Sequence, residues 1–464
     1  MNDIIKLLDL EDSSLIITDI SIVDNKKILT LETHPTVHHC PVCNFRMHSR
    51  GIKTRTVNHP ILQDTYQLVI KLKQRRWRCT NPICQYEANE TFNFVHKYRR
   101  NSNATDLLII NSFRDLSNTA VKIASTFKTS DTHVLDVFDN YVKMERLPLS
   151  DAICVDEVYL NMDYNCKYVL VIQDFHTGQT IDMLHSRRNN VTEPYFASIP
   201  REERLGVKYL ISDMYNPYLS YTSKYFPNAI SVVDSFHVIQ WLNHLLETFL
   251  RGLLRNFRAR DEAKRTAKEQ ETGRPVAHHI SDEVYILSKY SWFLLKSSDN
   301  IEYHTELRMD KHFRYYMNSY DYERMFFNLH PDLEQFRNLK DLYVKFNSRN
   351  VGNPDQASIE LDQLIRTYAL SEHDIFKEFA LLLYKHKDPI INSFIMTERT
   401  GGGKVYDSRL SNGPIESLNR KAKDLKRSGR GYRNFEHLRN RFLFATRNDP
   451  ALDGREPIKW SDES

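Results

Sequence analysis

"AICVDEVYL", residues 152–160, is a β-forming apolar run broken by two adjacent acids, Asp156 and Glu157. A carboxylate in such a run is costly near a core unless it is paired or metal-bound. The segments that follow say what surrounds it. "KYVLVIQDFHTGQTIDML" (167–184) reads as two strands joined by a His-Thr-Gly turn, and a helical stretch follows near "EPYFASI" (193–199). "VKYLISDMYNPYLSYTSKYFP" (207–227) reads as a strand ending at Asp213 and a helix. "AISVVDSFHVIQWLNHLLETFL" (229–250) reads as a strand ending at Asp234 and a long helix. The order β-β-β-α-β-α-β-α predicts an α/β domain with a mixed sheet.

Asp156 and Asp213 therefore sit on strands that can be neighbours. A third acid comes much later, in "SNGPIESLNRKAKDLKRSGRGYRNF" (411–435). Ser411, Asn412, Gly413 and Pro414 announce a helix start. Glu416 falls in its first turn, where the helix dipole alone favours an acid by about 0.3–1 kcal/mol. Ile415, Leu418, Ala422 and Leu425 recur at helical spacing as a buried stripe, leaving Glu416, Arg420, Lys423 and Arg427 on one flank. Asp156, Asp213 and Glu416 together would make a carboxylate cluster suited to two divalent ions, Mg2+ or Mn2+, about 3.5–4 Å apart. Glu157, Asp174 and Asp234 are rivals for these positions. The flanking cations Arg420, Lys423 and Arg427 make either a solvated face or one that sits beside a nucleic-acid backbone.

The chain of 464 residues is too long for one core and has an ordinary soluble composition, with 25 Tyr and 24 Phe. Its start, "MNDIIKLLDLEDSSL", is acidic and unlike a signal peptide, and no run approaches the roughly 20 apolar residues of a membrane span. A cytoplasmic, nucleoid-associated protein without a membrane partner is expected. Net charge is only +4, yet residues 40–100 hold 12 Lys/Arg against 3 Asp/Glu. That block suits phosphate neutralisation.

Four of the six cysteines form "CPVC" (Cys40, Cys43) and "CTNPIC" (Cys79, Cys84), two knuckles 35 residues apart. That spacing predicts a four-thiolate structural Zn2+ site. His38, His39 and His48 are competing ligands. Between the knuckles, "TYQLVIKLKQRRWRC" (65–79) alternates like a strand and ends in Arg75, Arg76 and Arg78, the basic face of a zinc-ribbon hairpin. Cys154 and Cys166 fall in later strand-like segments. Residues 102–143 switch to helical period, with Thr129 and Ser130 as caps before a last helix and a tight link at Lys128. This pattern resembles a helix-turn-helix.

The order of the cysteine pairs, the helical module, "VDE", "ISDMYNPY", "VVDSFHVIQ" and the 411–435 stretch resembles the IS-L-three family of bacterial insertion-sequence transposases. The resemblance implies an RNase H-like domain with a DDE triad, placed by motif on Asp156, Asp213 and Glu416. It matches the family's acid-x-x-His signature to Asp234 and His237 of "DSFH", residues that would order the site. It implies double-stranded DNA, both transposon ends and target, as partner, and action as a homodimer or higher oligomer. The activity implied is binding of terminal inverted repeats followed by metal-dependent strand cleavage and strand transfer. The gap from Asp213 to Glu416 then reads as a helical insertion with aromatic patches such as "HFRYYMNSYDYERMFF", whose rings are core or stack on unpaired bases. "RTGGGKVYDSRLSNGP" (399–414) reads as a mobile hinge.

The expected architecture is α/β multidomain: an N-terminal segment (1–35), a zinc-binding domain (36–100), a helix-turn-helix domain (101–146), the catalytic domain in two parts (147–257 and 401–448) around an all-α insertion (258–400), and a polar tail (449–464). The alternatives are a non-catalytic zinc and helix-turn-helix regulator and an RNase H-like nuclease.

Overall fold

The computed structural model describes residues 5–448 except 6–7, 9, 11, 13, 61–66, 164–166 and 430–431. Cys166 and the tail at 449–464 lie outside the described residues. The chain forms two compact units, one from Met1–Arg146, Leu160–Lys167 and Arg420–Ser464, the other from Leu147–Tyr159 and Tyr168–Asn419.

The first unit opens with β1 (Leu15–Val23), β2 (Lys26–Thr33), β3 (Met47–His59), β4 (Gln67–Cys79) and β5 (Glu87–Asn89). They make one sheet in the order β1-β2-β4-β3, with β5 on β4. The β1–β2 turn is Asp24-Asn25, both at positive φ (48° and 62°), as a tight hairpin of the right twist requires. β2 runs parallel to β4. Residues 15–33, read from sequence as part of a separate N-terminal segment, thus share a sheet with the cysteine-bearing module. A two-stranded hairpin is marginal alone, and its Leu15, Ile17, Leu29 and Leu31 are buried with Val57, Ile70 and Leu72 of the longer strands.

Three helices follow, α1 (Asn103–Ser112), α2 (Ala120–Phe127) and α3 (Asp131–Tyr141). Ser102, Thr119 and Ser130 cap them, accepting from the backbone N–H groups of Thr105, Lys122 and His133. Lys128 turns the chain between α2 and α3 in the left-handed region, φ 52°. Their core of Ile109, Phe113, Ile123, Val134 and Phe138 also takes Leu443 and Phe444 from the last described helix. In that helix Arg441, 0% exposed, donates to the carbonyls of Phe113, Asp115 and Asn118. Residues 435–446, expected with the catalytic part 401–448, pack against this three-helix module.

The second unit holds β6 (Ala152–Tyr159), β7 (Tyr168–Asp174), β8 (Thr180–Leu184), α4 (Asn189–Ser198), α5 (Arg201–Leu205), β9 (Tyr209–Ser212), α6 (Asn216–Leu219), α7 (Tyr221–Lys224), β10 (Ile230–Val233) and α8 (Ser235–Thr272). The sheet order is β10-β9-β6-β7-β8. β6, β7 and β8 are antiparallel neighbours, while β9 runs parallel to β6 and β10 parallel to β9. The continuous apolar runs of β6 and β7 are those of strands covered on both faces.

Helix α8 is 38 residues long and passes unbroken through the boundary expected at 257/258. Beyond it come α9 (Asp282–Tyr290), α10 (Trp292–Leu295), β11 (Arg308–Met309), β12 (Tyr316–Met317), α11 (Ser319–Phe327), α12 (Asp332–Arg349), α13 (Pro354–Ala369), α14 (Asp374–Lys385) and α15 (Lys387–Asn392). Val238, Leu242, Leu246 and Leu250 of α8 share one core with Phe293, Phe326, Phe336, Tyr343 and Phe376. Of the aromatics in 312–327, Phe326 is core, whereas Tyr315, Tyr316 and Tyr320 are exposed.

The expected hinge at 399–414 is instead an ordered hairpin, β13 (Met396–Gly401) and β14 (Lys404–Arg409). Gly402 and Gly403 turn it at φ 58° and 75°. Arg399 Nε donates to the Phe175 carbonyl at 2.8 Å, and Thr400 N–H to the His176 carbonyl at 2.7 Å, fixing the hairpin to the β7–β8 turn. The last described elements are α16 (Gly413–Ser428) and α17 (Phe435–Thr446).

Candidate active site and thiolate cluster

Four backbone elements bring acids toward one end of the second unit's sheet. Asp156 is on the central strand β6, Asp213 directly follows β9, Asp234 follows β10, and Glu416 is in the first turn of α16. Asp234 caps α8: Oδ1 accepts from Phe236 N–H at 3.0 Å, and Oδ2 accepts from Asn412 N–H, also at 3.0 Å. The residue that starts α8 therefore holds the turn that starts α16. His237 follows within the first turn of α8, and its buried Nε2 has no hydrogen-bond partner.

Asp234, His237 and Glu416 place one ligand atom each within 4.8 Å of one another. Among the described residues, that is the trio at metal-binding range on this sheet, rather than Asp156, Asp213 and Glu416. An unpartnered imidazole nitrogen beside two carboxylates fits a divalent cation by its chemistry.

Asp156 and Asp213 border this group electrostatically. Burial pushes the Asp156 carboxyl up to about 7, the charges of Glu157 and Asp213 push the same way, and the Glu157 backbone N–H and His237 pull it down. Burial also raises Asp213, with Glu157 adding to it and the Tyr215 backbone N–H, His237 and Arg187 opposing. Like charges gathered where water is scarce resist ionisation unless a cation joins them.

Asp156 also has a partner that sequence reasoning missed. Asn419 Nδ2 donates to Asp156 Oδ2 at 2.7 Å. Asn419 is three residues beyond Glu416 and so lies on the same side of α16. The sequence clue was the i, i+3 pairing of Glu416 with a short amide.

The rivals have other work. Glu157 is held by Arg187 and by the Tyr218 hydroxyl, the latter at 2.6 Å. Asp174 closes the β7–β8 turn, accepting from His176 N–H at 3.0 Å and from Thr177.

The raised Asp156 makes stability pH-dependent, with a definite sign. Its carboxyl takes up protons more readily in the folded chain than in the unfolded one, where it titrates near 3.8. The stabilising contribution is complete below about 3.8 and is lost as pH rises through about 7. Without divalent metal, thermal unfolding is expected to show a loss on the order of 2–4 kcal/mol across that range in wild type. Asp156→Asn should remove most of that slope, and Mg2+ should suppress it.

In the first unit, Cys40, Cys43, Cys79 and Cys84 all lie within 4.8 Å of one another. Sγ separations are 3.6 Å for Cys40–Cys84 and 3.4 Å for Cys43–Cys79. These are too long for disulfides and near the roughly 3.8 Å edge of a tetrahedron with metal–sulfur bonds of about 2.3 Å. Each knuckle is closed by a left-handed residue, Asn44 at φ 60° and Gln85 at φ 48°. The Phe45 backbone N–H, with help from the neighbouring thiols, draws the Cys43 thiol down to about 7, although burial opposes it.

The histidines are not members of the cluster. His38 packs on Trp77 with ring centroids 4.3 Å apart and bonds Thr36 Oγ1 at 2.9 Å. His39 pairs with Arg46 in a β-bridge, and His48 is exposed.

The expected DNA-contacting cations differ in their freedom. Arg76 and Arg78 both reach Glu87, as does Arg50, and Arg75 is half-buried. Arg420, Lys423 and Arg427 are exposed on α16, with Arg427 paired to Asp424 at 2.5 Å. Ile415, Leu418, Ala422 and Leu425 are all at most 4% exposed, so the expected stripe is buried. No helix among the described residues is long and apolar enough to cross a membrane.

No curated protein matches the chain. A family model described as "Transposase" matches residues 153–442, well over half of the sequence, from β6 through most of α17. The matched span contains Asp156, Asp213, Asp234, His237 and Glu416. The chain belongs to the IS-L-three family of transposases.

Proposed function

We propose that this insertion-sequence transposase cuts and joins DNA strands at an RNase H-like site in which Asp156, Asp213 and Glu416 hold two divalent cations, Mg2+ or Mn2+, and Asp234 and His237 order the surroundings. The observation that supports the reading is the position of Asp156, Asp213 and Asp234 at the same end of three neighbouring strands, with Asp156 half-buried, its carboxyl raised, and Asn419, one turn beyond Glu416, donating to it. The strand order β10-β9-β6-β7-β8, with three antiparallel strands followed by two parallel ones, supports the RNase H-like description.

Bound there, divalent cations would polarise the scissile phosphate and make the attacking water or 3′-hydroxyl easier to deprotonate. The chain supplies the rest. Asp234 fixes both the start of α8 and the turn before α16, so His237 and Glu416 keep a constant separation. Asn419 orients the Asp156 carboxylate. Glu157 is engaged by Arg187 and the Tyr218 hydroxyl, which leaves Asp156, Asp213, Asp234 and Glu416 as the acids of this sheet end open to a cation. Arg420, Lys423 and Arg427 would take phosphates flanking the cut.

In the first unit, the thiolate cluster would hold one structural Zn2+ and stiffen the β3–β4 hairpin, with Arg75, Arg76 and Arg78 meeting the backbone. The α2–α3 pair has the form of a helix-turn-helix, and α3 would read the terminal inverted repeat from the major groove. Action on chromosomal DNA as a homodimer or higher oligomer completes the reading.

Excision in cells tests catalysis against a purely regulatory role. Replacing Asp156, Asp213 and Glu416 together by alanine is expected to abolish excision of the element. Excision that survives the triple change would favour the non-catalytic regulator.

A further inference from the structure

We infer that the solvent face of α8 is a track for duplex DNA leading away from the cleavage site, with Arg255 and Arg258 as its principal phosphate contacts. The inference rests on the reading of the carboxylate site as the place of strand cleavage.

The helix separates its faces sharply. Val238, Leu242, Leu246 and Leu250 are buried. The opposite face carries His237, Trp241, His244, Arg251, Arg255 and Arg258 at intervals of three, four and seven residues. Beyond His237, which belongs to the metal-like group, all of these are exposed. At 3.6 residues per turn, Arg255 lies five turns from His237 and almost directly in line with it, about 27 Å along the axis. That is about eight base pairs of duplex.

Carboxylates occupy some cations of this helix but not these two. Arg251 is paired with Glu247 at 3.1 Å, and Arg265 with Glu262 at 2.5 Å. Among the described residues, neither Arg255 nor Arg258 has a carboxylate partner. Trp241, 39% exposed, lies one turn from His237 at the near end of this face. A face continuous with the site, cationic at its far end and aromatic at its near end, matches a polyanion threaded toward that site. A duplex fits better than a small anion because the cations lie some 27 Å or more from the catalytic group.

The test uses full-length protein, zinc-loaded, with a mixed-sequence duplex of about 40 base pairs and a second duplex carrying the element's end, titrated from about 50 to about 200 mM salt. Losing two phosphate contacts should lower the log–log salt slope by about 1.8, so that Arg255→Gln/Arg258→Gln loses about 12-fold less affinity than wild type over that range. Arg255→Lys/Arg258→Lys should keep the wild-type slope. Hydroxyl-radical footprints should lose protection about eight base pairs from the cut in the Gln variant only. A wild-type slope and footprint in that variant would overturn the track. Arg258→Gln alone, expected to lower the slope by about 0.9, serves if the double change perturbs folding. Should wild type fail to cut the end duplex with Mg2+, the reading of the site falls, while the slope still decides the track.

Discussion

Asp156→Asn is expected to abolish metal-dependent strand cleavage, by on the order of 10^3-fold or more, while making the metal-free protein more stable. The two effects share one cause. Asp156 is on the central strand with its carboxyl raised to about 7 by burial and by neighbouring acids. An amide of the same shape removes the charge that burial penalises, so the folded state gains at neutral pH. It also removes the anionic oxygen a divalent cation would need. Thermal unfolding at pH 8 without metal should show the Asp156→Asn protein melting above wild type. The order should reverse with Mg2+, because a ligand bound only to the folded state stabilises it by about 2.7 kcal/mol at a hundredfold excess over its Kd. A variant that melts lower without metal would show that Asp156 is structural.

The second large effect belongs to the thiolate cluster. Cys79→Ser is expected to reduce zinc from about one per chain to near zero and to unfold the β3–β4 end of the first unit. The energy at stake is on the order of 10 kcal/mol, since a structural zinc site contributes its binding energy to folding. Cys79 ends β4 and sits 3.4 Å from Cys43, so losing it breaks both knuckles' common centre. Specific binding to the element's ends should be lost with it. Cys154→Ser is the control: that thiol is fully buried in the second unit, near the Ser411 carbonyl at 3.8 Å, and should leave zinc content unchanged. Stoichiometric zinc in the quadruple cysteine variant would refute the site.

Much of this was legible in the sequence because local chemistry announced it. Two cysteine knuckles, apolar strands ending in acids, and the Ser-Asn-Gly-Pro helix start each carry their own explanation within a few residues. The stripe Ile415, Leu418, Ala422 and Leu425 is buried as its spacing predicted.

What was not legible depended on partners distant in sequence. Strands β1 and β2 look like a separate segment until β2 is seen running parallel to β4. Helix α17 carries no mark of its attachment to α1–α3; that is decided by Arg441 and Leu443, residues ordinary on any helix. The β13–β14 hairpin resembled a hinge because most of its side chains are exposed, so no apolar alternation betrayed it.

The site shows the same division. Asp234 and His237 entered as ordering residues, yet they are the ones that lie with Glu416 at metal-binding range, and Asn419 was invisible because its importance lies in the 2.7 Å contact with Asp156.

The most direct measurement is cleavage of end-labelled DNA carrying the element's termini by purified protein in Mg2+, wild type against Glu416→Gln. Wild type is expected to nick at the element boundary and the variant essentially not at all, with DNA binding and zinc content equal in both. Equal nicking by the two proteins would contradict the assignment of Glu416 to the catalytic site.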